Sequence, residues 1–198
     1  MLLICYGTRP EWIKVKPIID ELKNSGIEYK TLFTGQHKDL VSNRADYMLP
    51  PIVDVSRNRL DNIVSSILKS VDGILDNFDY IMVQGDTTSV LSIAIAAFHR
   101  NKKIIHLEAG LRTHDNNNPY PEEFNRSAVS RITDIHLCPT KQSKQNLLAG
   151  KKGRGCLPSL FAYWWVGIGG FSGLIPRTII QRSIAADVAR GLQPGVSP

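Results

Sequence analysis

An α/β fold built on a doubly wound, mostly parallel sheet follows from three observations in this sequence. Short apolar runs of strand length, such as Leu2–Tyr6, Tyr80–Val83 and Lys103–Leu107, alternate with stretches of helical periodicity. These runs are apolar almost throughout, as expected of strands buried on both faces. Two of them lead into acid-bearing turns, Gln84-Gly85-Asp86-Thr87-Thr88-Ser89 and Glu108-Ala109-Gly110-Leu111-Arg112-Thr113, with an apolar helix from Val90 to Phe98 between. That is a βαβ unit with a carboxylate at the end of each strand. In an open parallel sheet, this edge is where ligands bind.

Each element has its own signal. After the strand Leu2–Tyr6, Thr8 with Glu11 three residues on fits a capping box, and Pro10 suits a first helical turn. Val15, Ile18, Ile19 and Leu22 form one helical stripe, which Asn24-Ser25-Gly26 ends. Tyr29–Phe33 reads as a second strand running into Gln36-His37. Pro50-Pro51 breaks any helix begun near Asp39, and Ile52–Val55 reads as a short strand. Leu60, Ile63, Val64, Ile67, Leu68, Val71, Ile74, Leu75 and Phe78 predict one long helix. Asp115–Pro121 is a polar loop, and Pro121-Glu122-Glu123 opens a helix to about Thr133. Ile135–Cys138 is a further strand, followed by a helix from Lys141 to Ala149.

The chain has 198 residues and a net charge of +6. Residues 1–150 carry 18 Lys/Arg against 17 Asp/Glu, so the excess lies in residues 151–198. A nearly neutral body without a basic, aromatic-interleaved stripe argues against nucleic-acid binding. The three cysteines, Cys5, Cys138 and Cys156, lack metal-type spacing and suit a reducing compartment. Met1–Ile4 is too brief for a signal-peptide core and is read as strand.

The candidate chemistry lies at the predicted edge. Arg9 and Lys14 flank a helix N-terminus, where unpaired N–H groups and cations suit a phosphate, or form an ordinary solvated helix start. The turn is not a Gly-x-Gly-x-x-Gly fingerprint. Asp86 is either a helix cap or a site acid, and Glu108 a site acid or the ion partner of Arg112. Glu122 and Glu123 are first-turn helix acids or site groups. Carboxylates gathered at one edge repel, which raises the pKa of at least one and separates acid from base roles. His106, inside a strand, is structural, and His99 sits at a helix end.

Gly7-Thr8-Arg9-Pro10-Glu11 with Lys14, Gly85-Asp86-Thr87-Thr88, Glu108 to Thr113, and Pro121-Glu122-Glu123 with Asn125-Arg126 resemble, in this order, the motifs of non-hydrolysing UDP-N-acetylglucosamine 2-epimerases. Pro139-Thr140 and Gln145-Asn146-Leu147-Leu148 continue the resemblance, which covers about residues 1–149. It implies a GT-B architecture of two Rossmann-like domains with the site in the cleft between them. Residues 1–149 would be the N-terminal half. It implies interconversion of UDP-GlcNAc and UDP-ManNAc for polysaccharide biosynthesis by a cytoplasmic homodimer, with neither NAD nor metal as cofactor. On matching motifs, Asp86, Glu108 and Glu122 fall on catalytic positions. Arg9, Lys14, Asp86 and Glu108 fall on substrate-binding positions. Gln36 and His37 fall where some members contact a regulatory substrate molecule.

The βα rhythm stops at Gly150. Residues 150–198 are rich in Gly, Pro, aromatic and basic residues, and nothing there resembles the family's second domain. An out-of-frame or read-through tail, a substitute segment and a diverged remnant all stay open. Gly155 to Pro176 carries no charge and has the length of a membrane span, but its glycines make a poor one, so membrane contact is not expected. The chain therefore reads as a truncated epimerase whose own activity is in question. The alternative is a catalytically silent fragment that binds a full-length epimerase. A glycosyltransferase half-domain is disfavoured, because such enzymes need no base set aimed at C2.

Overall fold

The computed structural model describes residues 1–36 and 45–150, together with the backbone of 160–163. Among these residues the sheet has seven strands, all parallel. They are β1 (Leu2–Tyr6), β2 (Tyr29–Phe33), β3 (Tyr47–Met48), β4 (Tyr80–Gln84), β5 (Lys103–Leu107), β6 (Ile135–Cys138) and β7 (Leu160–Tyr163). Their spatial order is β3-β2-β1-β4-β5-β6-β7. The helices are α1 (Arg9–Asn24), α2 (Arg59–Ser70), α3 (Thr88–His99), α4 (Glu122–Ile132) and α5 (Lys141–Gly150).

Alternation along the strands feeds two cores. Leu2, Ile4 and Tyr6 of β1 join Val15, Ile18 and Leu22 of α1 on one face. Leu3 and Cys5 join Ile63 and Ile67 of α2 and Ile93 and Ala97 of α3 on the other. Helices on both faces explain why the strands are apolar throughout. This is the doubly wound sheet the sequence predicts. The Cys5 thiol lies deep in it, and burial pushes its pKa up.

Three elements differ from expectation. The predicted helix across 60–78 ends at Ser70. Gly73 takes a φ of 72°, and a 3₁₀ turn at Leu75–Asn77 follows. Val71, Leu75 and Phe78 stay buried because the chain turns while keeping their face inward. Ile52–Val55 forms no strand. The strand lies before the proline pair, at Tyr47–Met48, where Leu49 N donates to Phe33 O at 2.9 Å. Pro50 and Pro51 have no N–H to extend the ladder. The N–H groups of Val55 and Ser56 go instead to Asn62 Oδ1, at 3.1 and 2.7 Å. Finally, β7 continues the parallel order beside β6, an element not predicted from the sequence.

A helix begun near Asp39 would lie outside the described residues, as does most of the uncharged Gly155–Pro176 stretch. Among the described residues no helix is long and apolar enough to cross a membrane.

Candidate active site

The strand order reverses between β1 and β4, the point at which an open α/β sheet leaves a crevice at its carboxyl edge. The turn after β1 packs tightly there. A Cβ on Gly7 would sit 2.1 Å from Thr34 Oγ1. Gly85, at φ 82°, turns the chain after β4. His106 of β5 fixes that turn, with Nε2 2.7 Å from Gly85 O. A carbonyl only accepts, so Nε2 carries the proton. Burial holds the imidazole below its ordinary pKa, which keeps it neutral. His106 is thus structural, as its place inside a strand predicted.

Glu108 follows β5 with a φ of 67°, a left-handed conformation uncommon outside glycine. Its carboxylate faces α1, where Lys14 Nζ lies 2.8 and 2.6 Å from the two oxygens. Gln84 Nε2 donates to Glu108 Oε2 at 2.6 Å. The ion partner is therefore Lys14 and not Arg112. Arg112 Nε instead lies 2.6 Å from Glu123 Oε1.

Asp86 does not cap α3. Thr87 does, with its Oγ1 accepting from Val90 N at 3.3 Å. Asp86 Oδ2 is held by Arg126, from Nε at 2.7 Å and Nη2 at 2.6 Å. Asn125 Nδ2 donates to the Asp86 carbonyl at 2.8 Å. Both partners come from α4, so this helix carries the clamp on the β4 turn.

Glu123 is fully buried. Burial alone would raise its pKa. The Thr113 N–H at 3.0 Å, the Arg112 guanidinium and the His114 N–H at 3.1 Å outweigh burial and hold the carboxyl at about 2. Arg126 Nη1 adds a contact at 3.4 Å. Glu11 is the opposite case. It is 3% exposed, and burial raises its pKa against the hydrogen bonds it accepts. The carboxyl pushed upward at this edge is thus Glu11, which the sequence showed only as a capping-box residue.

The structure brings Lys14 and Glu108 into one ion pair and sets Asp86 on the neighbouring strand end. Glu122 sits in the first turn of α4, half-buried, and no hydrogen bond or ion pair joins it to Asp86 or Glu108. Arg9 is exposed at the start of α1, without an ion pair among the described residues. Gln36 Oε1 accepts from Ser89 Oγ at 2.5 Å. His37 lies outside the described residues. Sequence reasoning did not assign Gln84, Asn125 or Arg126 to this network, and it named Glu123 only as a first-turn acid or a site group. Only the i, i+3 spacing of Glu123 and Arg126 hinted at a pair. Among the described residues no three His, Cys, Asp or Glu side chains lie together as a metal site would require.

A family model described as UDP-N-acetylglucosamine 2-epimerase matches residues 20–154. The UDP-N-acetylglucosamine 2-epimerase of Salmonella borreze is 42% identical over 155 residues, which are 74% of this chain and 41% of that protein. A protein of the same name from Neisseria meningitidis serogroup A is 37% identical, over 75% of this chain and 42% of its own length. Among solved structures, UDP-GlcNAc 2-epimerase from Neisseria meningitidis bound to UDP-GlcNAc superposes with a TM-score of 0.72 at 35% identity. It covers 82% of this chain and 45% of that one. The Methanocaldococcus jannaschii UDP-GlcNAc 2-epimerase in complex with UDP-GlcNAc and UDP gives 0.67 at 30% identity, over 84% and 46%. The chain spans about two fifths of the length of the curated relatives it matches.

Proposed function

Because the chain belongs to the UDP-N-acetylglucosamine 2-epimerase family, we propose that its carboxyl sheet edge is one wall of a nucleotide-sugar epimerase site. The family is one of isomerases, and this chain corresponds to its N-terminal Rossmann-like region. The observation that carries the reading is the placement of Glu108 and Asp86 at neighbouring strand ends, each tethered to a cation from a helix, Lys14 or Arg126.

The reaction would interconvert UDP-GlcNAc and UDP-ManNAc. The C2 proton of the sugar is not next to a carbonyl, so direct removal is disfavoured. Cleavage of the C1–O bond, with its electron pair leaving on UDP, makes C1 oxocarbenium-like and C2–H acidic. A carboxylate then takes the proton, giving a glycal and UDP. Protonation of C2 on the opposite face and attack of a UDP oxygen on C1 complete the inversion. Asp86, Glu108 and Glu122 are the proton-handling candidates, and such groups contribute ~10²–10⁴-fold each. Arg9 and Lys14 suit the diphosphate, whose negative charge grows as the bond breaks. Gln36 and His37 are proposed for a regulatory substrate molecule.

The same reading takes residues 1–149 as the Rossmann-like domain and 150–198 as an atypical tail, of which β7 extends the domain's sheet. It places the protein in the cytoplasm as a homodimer, within polysaccharide biosynthesis. Free, buried Cys5 and Cys138 suit a reducing compartment.

The test is proton exchange at C2. Purified protein is incubated with UDP-GlcNAc in deuterated buffer and C2 is followed by NMR. Deuterium incorporation that disappears in Glu108→Gln and Asp86→Asn supports the reading. No incorporation by a folded protein overturns it for this chain. A second reading is a chain that associates with a full-length epimerase without turnover of its own. Co-elution with such an epimerase, without turnover, would support that one.

A further inference from the structure

Glu11 does more in this structure than a capping box requires. Its Oε2 accepts from Gly7 N at 2.5 Å and from Thr8 N at 3.2 Å, both in the turn after β1. Its Oε1 accepts from Thr87 Oγ1 at 2.9 Å, across 76 residues of sequence. Thr87 Oγ1 in turn accepts from Val90 N and caps α3. One carboxyl therefore ties the N-terminus of α1 to that of α3, at the point where the strand order reverses. No cation pairs with it among the described residues, although it is 3% exposed. A solvent-facing Glu would close the capping box equally well. Burial of an acid without a counter-charge is costly, so cross-linking the two turns is what this placement adds.

The tie sits between the groups of the site. Lys14 stands one helical turn beyond Glu11, on the same side of α1. Asp86 immediately precedes Thr87. We propose that Glu11 is a positioning residue that locks the Gly7–Arg9 turn to the Asp86–Thr87 turn, and so sets where the Lys14–Glu108 pair stands relative to Asp86. This rests on the epimerase reading for its consequence in catalysis, but not for its geometry.

The test uses the full chain and two readouts. The first needs no activity: the NMR signals of the Lys14 ammonium nitrogen and of the Asp86 and Glu108 carboxyl carbons. Glu11→Gln and Thr87→Val are expected to shift the Lys14 and Asp86 signals together. Thr87→Ser, which keeps the hydroxyl, restores them, and the double variant Glu11→Gln/Thr87→Val moves them no further. The second is C2 exchange, where kcat is expected to fall ~100-fold in Glu11→Gln with a smaller change in KM, as for a misplaced catalytic group. If either variant lowers the melting midpoint while the Lys14 and Asp86 signals stay at their wild-type positions, Glu11 is a helix cap only and the proposal is overturned, whatever the exchange rate does. If the signals shift as expected but the wild-type chain shows no exchange, the positioning role stands and the epimerase reading of this chain falls.

Discussion

Arg126 grips Asp86 with two nitrogens, Nε at 2.7 Å and Nη2 at 2.6 Å, while its Nη1 lies 3.4 Å from Glu123. One guanidinium thus serves a carboxylate at the end of β4 and another at the start of α4. The planar guanidinium offers a fixed fork for this double role, which a lysine ammonium lacks. Arg126→Leu leaves Asp86 unpaired and removes one of the two cations at Glu123. The expected loss is about 2–4 kcal/mol, since breaking a partly buried pair strands the other charge. Arg126→Lys should fall between Leu and wild type. Urea denaturation of the three proteins checks the order.

Glu123 gives the fold an acid-sensitive point. Its folded pKa of about 2 lies below the ordinary 4.5. A depressed carboxyl contributes stability that is full above the unfolded value and lost as pH falls through the folded one. The gap corresponds to ~3 kcal/mol. Denaturation midpoints should therefore drop between about pH 4.5 and pH 2. Glu123→Gln should be less stable at pH 7 and should lack most of that acid slope. A slope of equal size in both proteins would assign it to other carboxylates.

Two glycines should behave differently when enlarged. In Gly7→Ala the new Cβ meets the Thr34 Oγ1 at 2.1 Å, a side-chain atom. In Gly110→Ala it meets the backbone oxygen of Ser143 at 2.2 Å, and φ there is 87°. The first clash can be relieved and the second cannot. Gly7→Ala is expected to cost ~1–3 kcal/mol by overpacking. Adding Thr34→Ala should recover part of that loss. Gly110→Ala should cost more, and no side-chain truncation should rescue it. Thermal melts of the two single variants and of the Gly7→Ala/Thr34→Ala pair decide the matter.

The sheet was readable in advance because buried parallel strands are apolar on both faces, so each shows as a run and not as an alternation. The Thr8–Glu11 capping box was readable because it is local, and its bonds are present. The helix over 60–78 was overextended for a physical reason: the turn after Ser70 keeps Val71, Leu75 and Phe78 inward, so the apolar pattern continues where the helix does not. Site pairing was hidden for another reason. Lys14 and Glu108 are 94 residues apart, and Arg126 and Asp86 are 40 apart. Such contacts depend on strand order and on the left-handed turn at Glu108, neither of which a spacing rule encodes. Glu11 looked like a local cap because its bond to Thr87 spans 76 residues.

Gln84 offers the most direct probe of how Glu108 is held. It is 2% exposed, and its Nε2 donates to Glu108 Oε2 at 2.6 Å, on the oxygen that Lys14 also reaches at 2.6 Å. Gln84→Leu removes one hydrogen bond and leaves the ion pair in place, so it should cost only ~1 kcal/mol. Gln84→Glu sets a second carboxyl against Glu108 in a buried position, with one lysine between them. Burial and the like charge would both raise the pKa of that new carboxyl. A carboxyl with a raised folded pKa favours folding while protonated and opposes it once ionised. Gln84→Glu should therefore be close to wild type near pH 4 and lose stability as pH rises towards 8, whereas Gln84→Leu should show no such trend. Urea midpoints of the two variants across this range test the arrangement. If the two variants ran parallel with pH, the carboxylate of Glu108 would not be facing position 84 in solution.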